Sequence, residues 1–292
     1  MKYGIYFAYW INEWDGADYK KYIDKVAKLG FDILEISCAS LKEQYASDSQ
    51  LFDLRDYAKE KGVILTAGYG PGKNENLSSS DPQTVKNAKA FYKDILLKLK
   101  KLDIHQLGGG IYSYWPVDYS QSIDKEGDWR RSVAGMKEIA AIAGDCGVTL
   151  GMEALNRFEG YLINSCEEAL KYVNEVNHPN VKIMLDTFHM NIEEDNMAAA
   201  IRMAGDKLGH FHIGEQNRKV PGKGNIPWND LACALKDINY DGTVVMEPFV
   251  MPGGGVGQDI KVWRNLIPDT SEAVLDRDAK SALEFIKCVF TK

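Results

Sequence analysis

Short apolar runs alternate with longer amphipathic stretches eight times along this chain, and few folds can be built from that alternation. The runs are Gly4 to Tyr9, Ile33 to Ile36, Val63 to Ala67, His105 to Leu107, Thr149 to Met152, Lys182 to Leu185, Leu208 to Phe211 and Thr243 to Met246. They read as buried parallel strands, which carry continuous hydrophobic sequence because both faces are covered. The intervening stretches read as helices: Tyr19 to Leu29, Leu51 to Glu60, Pro82 to Leu102, Trp129 to Cys146, Cys166 to Val176, Met197 to Ala204, Asn229 to Ile238 and Ala279 to Phe290. Three stretches end in a glycine stop, at Gly30, Gly62 and Gly147. Strand and helix alternating in this way predict an α/β fold in which a parallel sheet closes on itself, a (β/α)8 TIM barrel. An open doubly wound sheet is the alternative.

A decorated barrel of this kind needs roughly 250 residues plus insertions, and the chain has 292. No composition break marks a second domain, so residues 1–292 are expected to form one. Met251 to Asp278, with Gly253 to Gly255 and a polar run, is expected to be a loop insertion over the barrel mouth or at a subunit contact, before the last helix.

Four residues of metal-ligand type lie at or just past strand ends: Glu153 in LGMEAL, Asp186 in KIMLDTFHM, His212 in GHFHIGE and Glu247 in VVMEPF. In a closed barrel those ends meet at one mouth. Singly, each has an ordinary structural reading, as a salt-bridge partner, a helix N-cap or a satisfied core histidine. Four on consecutive strands favour a metal site. Three carboxylates and one imidazole form an oxygen-rich set suited to Mn²⁺, Mg²⁺ or Co²⁺ rather than to a structural zinc, which usually takes thiolates. Their combined charge of about −3 in a barrel mouth calls for a cation.

The net charge of −7 disfavours nucleic acid or an anionic membrane as partner. MKYGIYFAYW enters a strand at once, without a signal-peptide pattern, and no run approaches transmembrane length, so a cytoplasmic protein is expected. Five cysteines with no CxxC spacing point to free thiols. VPGKG at Val220 to Gly224 lacks Walker spacing and reads as a turn, and GYGPG at Gly68 to Gly72 does not match a dinucleotide fingerprint. His105, His178 and His210 have no acid partner at informative spacing. Period-2 alternation nevertheless puts His210 on the same face as His212, where it can support the site.

The strings AKLGFD, LTAGYGP, LDIHQLGGGIYSYWPVDYS, GMEALNRFEGY, VKIMLDTFHMNIEED, GHFHIGEQNR and VMEPFV closely resemble the D-tagatose 3-epimerase family, and within it the D-psicose (D-allulose) 3-epimerases. The resemblance covers nearly the whole chain. It implies a ketose 3-epimerase that interconverts D-fructose and D-psicose, with D-tagatose and D-sorbose as further substrates. It further implies one divalent ion per subunit, Mn²⁺ or Co²⁺ with Mg²⁺ as a third option, on the residues matching Glu153, Asp186, His212 and Glu247. Members are usually homodimers or homotetramers acting on a ketohexose.

Inverting C3 requires removal of a proton and return of one to the opposite face, through a cis-enediolate. A metal beside the ketone supplies the activation. By resemblance, Glu153 and Glu247 are the acid/base pair, and Glu159, His189 and Arg218 hold the carbonyl end of the sugar. Tyr6 and Trp115, with Gly68 and Gly110, surround the distal hydroxyls, and Trp14 helps close the pocket. Tyr112 and Tyr114 belong to the same aromatic group of mouth segments. The family commonly has alanine where this chain has Gly110, and many members have threonine at Ile213. Three other functions compete. An aldose-ketose isomerase on the same barrel would move hydrogen between C1 and C2. A phosphodiester-cleaving barrel of the endonuclease IV kind would need several metal ions and a basic groove. A non-catalytic sugar-binding barrel would have no turnover to lose.

Overall fold

The computed structural model describes residues 1–291. The eight apolar runs form β1 (Lys2–Tyr6), β2 (Ile33–Ser37), β3 (Ile64–Gly68), β4 (Gln106–Gly109), β5 (Thr149–Glu153), β6 (Val181–Asp186), β7 (Leu208–Ile213) and β8 (Thr243–Met246). Each strand pairs in parallel with its sequence neighbours, and β8 returns to β1, so the sheet is a closed barrel. The open-sheet alternative is thereby excluded.

Side chains alternate along each strand. Leu34 and Ile36 on β2, Phe211 on β7 and Val244 on β8 enter the core shared with the helices. Between them Glu35, His210 and His212 turn to the barrel axis, where Thr66 of β3 and Thr243 of β8 meet them. Barrel interiors are usually filled by layers of Val, Ile and Leu. This one carries a polar stack beneath its mouth.

The helices that follow the strands are α1 (Tyr19–Leu29), α2 (Cys38–Glu43), α3 (Asp48–Glu60), α4 (Pro82–Leu102), α5 (Lys125–Cys146), α6 (Cys166–Val176), α7 (Thr187–Glu193), α8 (Met197–Ala204), α9 (Trp228–Asp237), α10 (Gly254–Asp259) and α11 (Glu272–Phe290). The expected stops hold: Gly30, Gly62 and Gly147 adopt φ of 90°, 70° and 70°, the left-handed conformation that glycine adopts at least cost. No helix among the described residues is long and apolar enough to cross a membrane.

The segment 251–278 departs from the expected loop. It contains α10, and α11 begins at Glu272 rather than Ala279. The opening turns of α11, EAVLDRD, bury only Leu275 and so give no apolar stripe to read. They are held instead by polar anchors, with Trp10 Nε1 and Lys25 Nζ donating to Asp276 at 2.8 and 2.7 Å. The α10 helix lies across the mouth. Val256 N donates to Asn12 O at 3.0 Å, Gly255 N to Glu13 Oε2 at 3.0 Å, and Trp14 Nε1 to Asp259 Oδ2 at 2.8 Å.

Candidate active site

Parallel pairing brings the four strand-end residues together. Glu153 and Asp186 are the last residues of β5 and β6, His212 lies opposite Asp186 in the β6–β7 register, and Glu247 follows β8. One ligand atom from each lies within 4.8 Å of all the others. Asp186 serves two purposes: its Oδ1 accepts from Phe188 N at 2.8 Å, capping α7, which leaves Oδ2 for the site. The helix-cap and ligand readings of that residue are therefore compatible.

Whether this set suits a cation is decided by its unpartnered atoms. Among the described residues, Glu153 Oε1, Asp186 Oδ2 and His212 Nδ1 are buried without a hydrogen-bond partner. Buried polar atoms are rarely left this way, and three converging on one point, beside Glu247, fit a bound cation of the hard, oxygen-preferring kind. The electrostatics agree. Burial, then the nearby Glu247 and Asp186, pushes the Glu153 carboxyl well above the usual range, and burial raises Asp186 against the pull of His189 and Arg218. Although burial opposes its charge, His212 is raised well above the usual imidazole range because Glu35 and Glu247 face its two ring nitrogens. A divalent cation would be bound by the deprotonated ligands and would offset the burial and the crowding of like charge that raise Glu153 and Asp186.

Arg218 is the fixed positive charge. Its NH2 lies 3.1 Å from Glu159 Oε1, and its NH1 lies 3.2 Å from Glu247 Oε2 and 3.5 Å from Asp186 Oδ2. The guanidinium stacks 3.6 Å above the Phe188 ring. Its loop is rigid because buried Glu215 accepts from Gly222 N, Ile226 N and Trp228 Nε1, gathering VPGKG into the expected turn. The pairing with Glu159 adds to the sequence reading: Arg218 is committed to carboxylates on three sides.

His189 has its tautomer set by Asn156, a residue the sequence analysis missed. The backbone N–H of Asn156 can only donate, and it reaches His189 Nδ1 at 3.2 Å, with the Asn156 amide 2.8 Å from the same atom. The ring proton is therefore on Nε2, 3.7 Å from Glu153 Oε1 and facing the site. Burial keeps this imidazole below its usual pKa. Glu159, by contrast, is held below the usual carboxylate range, since Arg218 and His189 outweigh its burial.

A cavity of about 450 Å³ opens above these groups, lined by Tyr6, Trp14, Gly68, Gly110, Trp115 and Phe249 among others. Trp14 meets Trp115 edge-on at 5.5 Å and Phe249 at 5.9 Å, forming an aromatic wall. Tyr112 is not part of that wall: it is buried, and its hydroxyl braces the Glu153 carbonyl at 2.8 Å. Tyr114 instead accepts from Asp118 N at 3.2 Å.

Two histidines do have acid neighbours, contrary to expectation. His210 Nε2 is 2.9 Å from Glu35 Oε2, and His105 Nε2 is 3.2 Å from Asp103 Oδ1 on the surface. The first contact depends on β2 and β7 facing each other across the barrel, which no local spacing reveals. Glu35 itself escaped the sequence reading, although a lone carboxylate inside the apolar run ILEIS was the available signal.

Residues 23–266 match the family model for the xylose isomerase-like TIM barrel. The chain is 63% identical to a D-psicose 3-epimerase of Enterocloster bolteae over 99% of this chain and 96% of the relative. It is 53% identical to a D-psicose 3-epimerase of Agrobacterium fabrum over 99% of both. Its structure superimposes on the crystal structure of the Clostridium cellulolyticum D-psicose 3-epimerase with D-tagatose at a TM-score of 0.97, with 57% identity and 99% coverage of each chain. Full-length similarity at this level, on a barrel whose mouth carries a cluster able to hold one metal ion, places the chain in the ketose 3-epimerase family of isomerases acting on carbohydrates.

Proposed function

We propose that this chain inverts C3 of a free ketohexose, interconverting D-fructose and D-psicose and accepting D-tagatose and D-sorbose, with one Mn²⁺ or Co²⁺ ion, or Mg²⁺ in their place, held by Glu153, Asp186, His212 and Glu247. The observation that carries this reading is the convergence of three unpartnered ligand atoms with Glu247 in a cavity of sugar-binding size. When held by these residues, the ion would supply the Lewis acidity that makes the C3–H of a ketose removable near neutral pH.

The remaining work belongs to the chain's own residues. Glu153 and Glu247 stand on either side of the reacting carbon, one removing the C3 proton and the other returning a proton to the opposite face, with the roles exchanged in the reverse direction. Arg218 fixes Glu247 through Oε2, so the carboxylate is held in place without spending Oε1. His189 donates from Nε2 to a substrate oxygen, the tautomer that Asn156 enforces. Glu159 orients Arg218 and the carbonyl end of the sugar. Tyr6, Trp14 and Trp115 cover the C–H faces of the sugar and exclude water while negative charge resides on the substrate.

The test is product analysis. Chelator-stripped protein is incubated with D-fructose, with and without Mn²⁺, and the sugars are separated by chromatography. Metal-dependent D-psicose supports the proposal. An aldose product instead makes the enzyme an aldose-ketose isomerase, and inertness toward all four ketohexoses overturns the catalytic reading.

A further inference from the structure

Apart from His212, the polar stack inside the barrel has no part in the chemistry described so far. Glu35 is at its centre, 1% exposed, in the middle of β2. Its Oε1 is 2.6 Å from His212 Nε2, and its Oε2 accepts from Thr66 Oγ1 at 2.8 Å and lies 2.9 Å from His210 Nε2. Thr66 is its register partner on β3, so the hydroxyl is placed by the sheet itself. His210 in turn contacts Thr243 of β8 through Nδ1.

Glu35, His210 and His212 are close enough to suggest a metal site of their own. Their spacing argues otherwise. His212 Nε2 and Glu35 Oε1 are hydrogen-bonded at 2.6 Å, and His210 Nε2, 2.9 Å from Glu35 Oε2 but not hydrogen-bonded to it, is the one atom of this trio on that side left without a partner among the described residues. One oxygen of the carboxylate already accepts from Thr66. Unpartnered atoms converge on the other side of His212, where Nδ1 faces Glu153, Asp186 and Glu247. A neutral imidazole has one N–H and one lone pair. An ionised carboxylate on Nε2 accepts the N–H there and leaves the lone pair on Nδ1, pointing into the four-residue cluster.

We propose that Glu35 is a positioning residue for the metal centre: it fixes the tautomer and ring orientation of His212 and, braced by Thr66, holds Nδ1 ready to bind the ion. This rests on the four-residue metal site proposed above. Partners of this kind on the remote nitrogen of a ligating histidine raise its basicity, and their loss typically weakens metal binding about 10–100-fold. Because Glu35 acts through His212 rather than on sugar, its loss should separate metal affinity from sugar affinity.

The experiment is a calorimetric titration of chelator-stripped protein with Mn²⁺, for the parent, Glu35→Gln and Thr66→Val, with circular dichroism to establish folding. KM for D-fructose is then measured at saturating Mn²⁺. Glu35→Gln is expected to bind Mn²⁺ about 10–100-fold more weakly with an unchanged KM, and Thr66→Val several-fold more weakly. If the parent binds Mn²⁺ and Glu35→Gln binds it equally well, the positioning role is overturned while the metal site stands. If the parent binds no divalent ion, the metal reading fails first. Should Glu35→Gln fail to fold, Thr66→Val decides, and unchanged Mn²⁺ affinity in that variant overturns the proposal.

Discussion

Replacing Arg218 with methionine tests how the site balances its charge. The substitution retains an aliphatic stem against Phe188 and Phe249 and removes the guanidinium, which lies 3.1 to 3.5 Å from Glu159, Glu247 and Asp186. Arg218 is only 5% exposed, so solvent cannot replace it. Removing one side of a buried ion pair costs about 3–5 kcal/mol, and at roughly 2 °C per kcal/mol for a chain of this size the metal-free variant should melt about 6–10 °C below the parent. Saturating Mn²⁺ should narrow that gap, because a divalent cation in the four-residue cluster neutralises the same carboxylates. Thermal unfolding of stripped and Mn²⁺-loaded protein, parent and variant, measures all four values. A loss well below about 6 °C in the stripped protein, the smallest shift expected for a broken buried pair, would refute this accounting. So would a gap that Mn²⁺ leaves unchanged.

Glu153→Gln and Glu247→Gln should each lower kcat by about 10²- to 10⁴-fold, the usual contribution of a positioned acid or base; near-normal turnover in either folded variant removes it from that role. Asp259→Ala releases Trp14 Nε1 from its 2.8 Å anchor on α10 and is expected to raise KM for D-fructose with kcat little altered, as read from steady-state kinetics. Gly110→Ala places a Cβ 3.3 Å from Leu155 Cδ1, which a shift of a few tenths of an ångström relieves. It should therefore cost about 1 kcal/mol, the low end for an added methyl group, and change the ratio of kcat/KM between D-fructose and D-tagatose, and an unchanged ratio would show that this wall does not sense the distal sugar.

The barrel was legible because its strands are buried on both faces and its helices stop at glycine. The elements that went unseen are short or polar. The α2, α7 and α10 helices have six, seven and six residues, too few to show a period. The α3 helix begins at Asp48 behind a Ser47/Gln50 capping box, before its apolar stripe starts. Within the site, the four strand-end residues were found because each has chemistry of its own at a position the fold makes special. Asn156 and Glu35 were not, because each works through a partner distant in sequence, and Glu215 was not, because it acts on the backbone and the tryptophan of its own loop. Asn156 sets a proton on His189 33 residues away, Glu215 ties a loop, and Glu35 reaches His212 177 residues further on. Of these, only Glu35 left a trace, as a charge in the middle of a buried strand.

The most direct test of C3 chemistry is NMR of D-fructose incubated in D₂O with stripped protein, with and without Mn²⁺. D-psicose is expected to form only with the metal and to carry deuterium at C3, since carboxylates that exchange with solvent deliver the new proton. Metal-independent product, or deuterium at C1 or C2 with an aldose accumulating, would contradict this expectation.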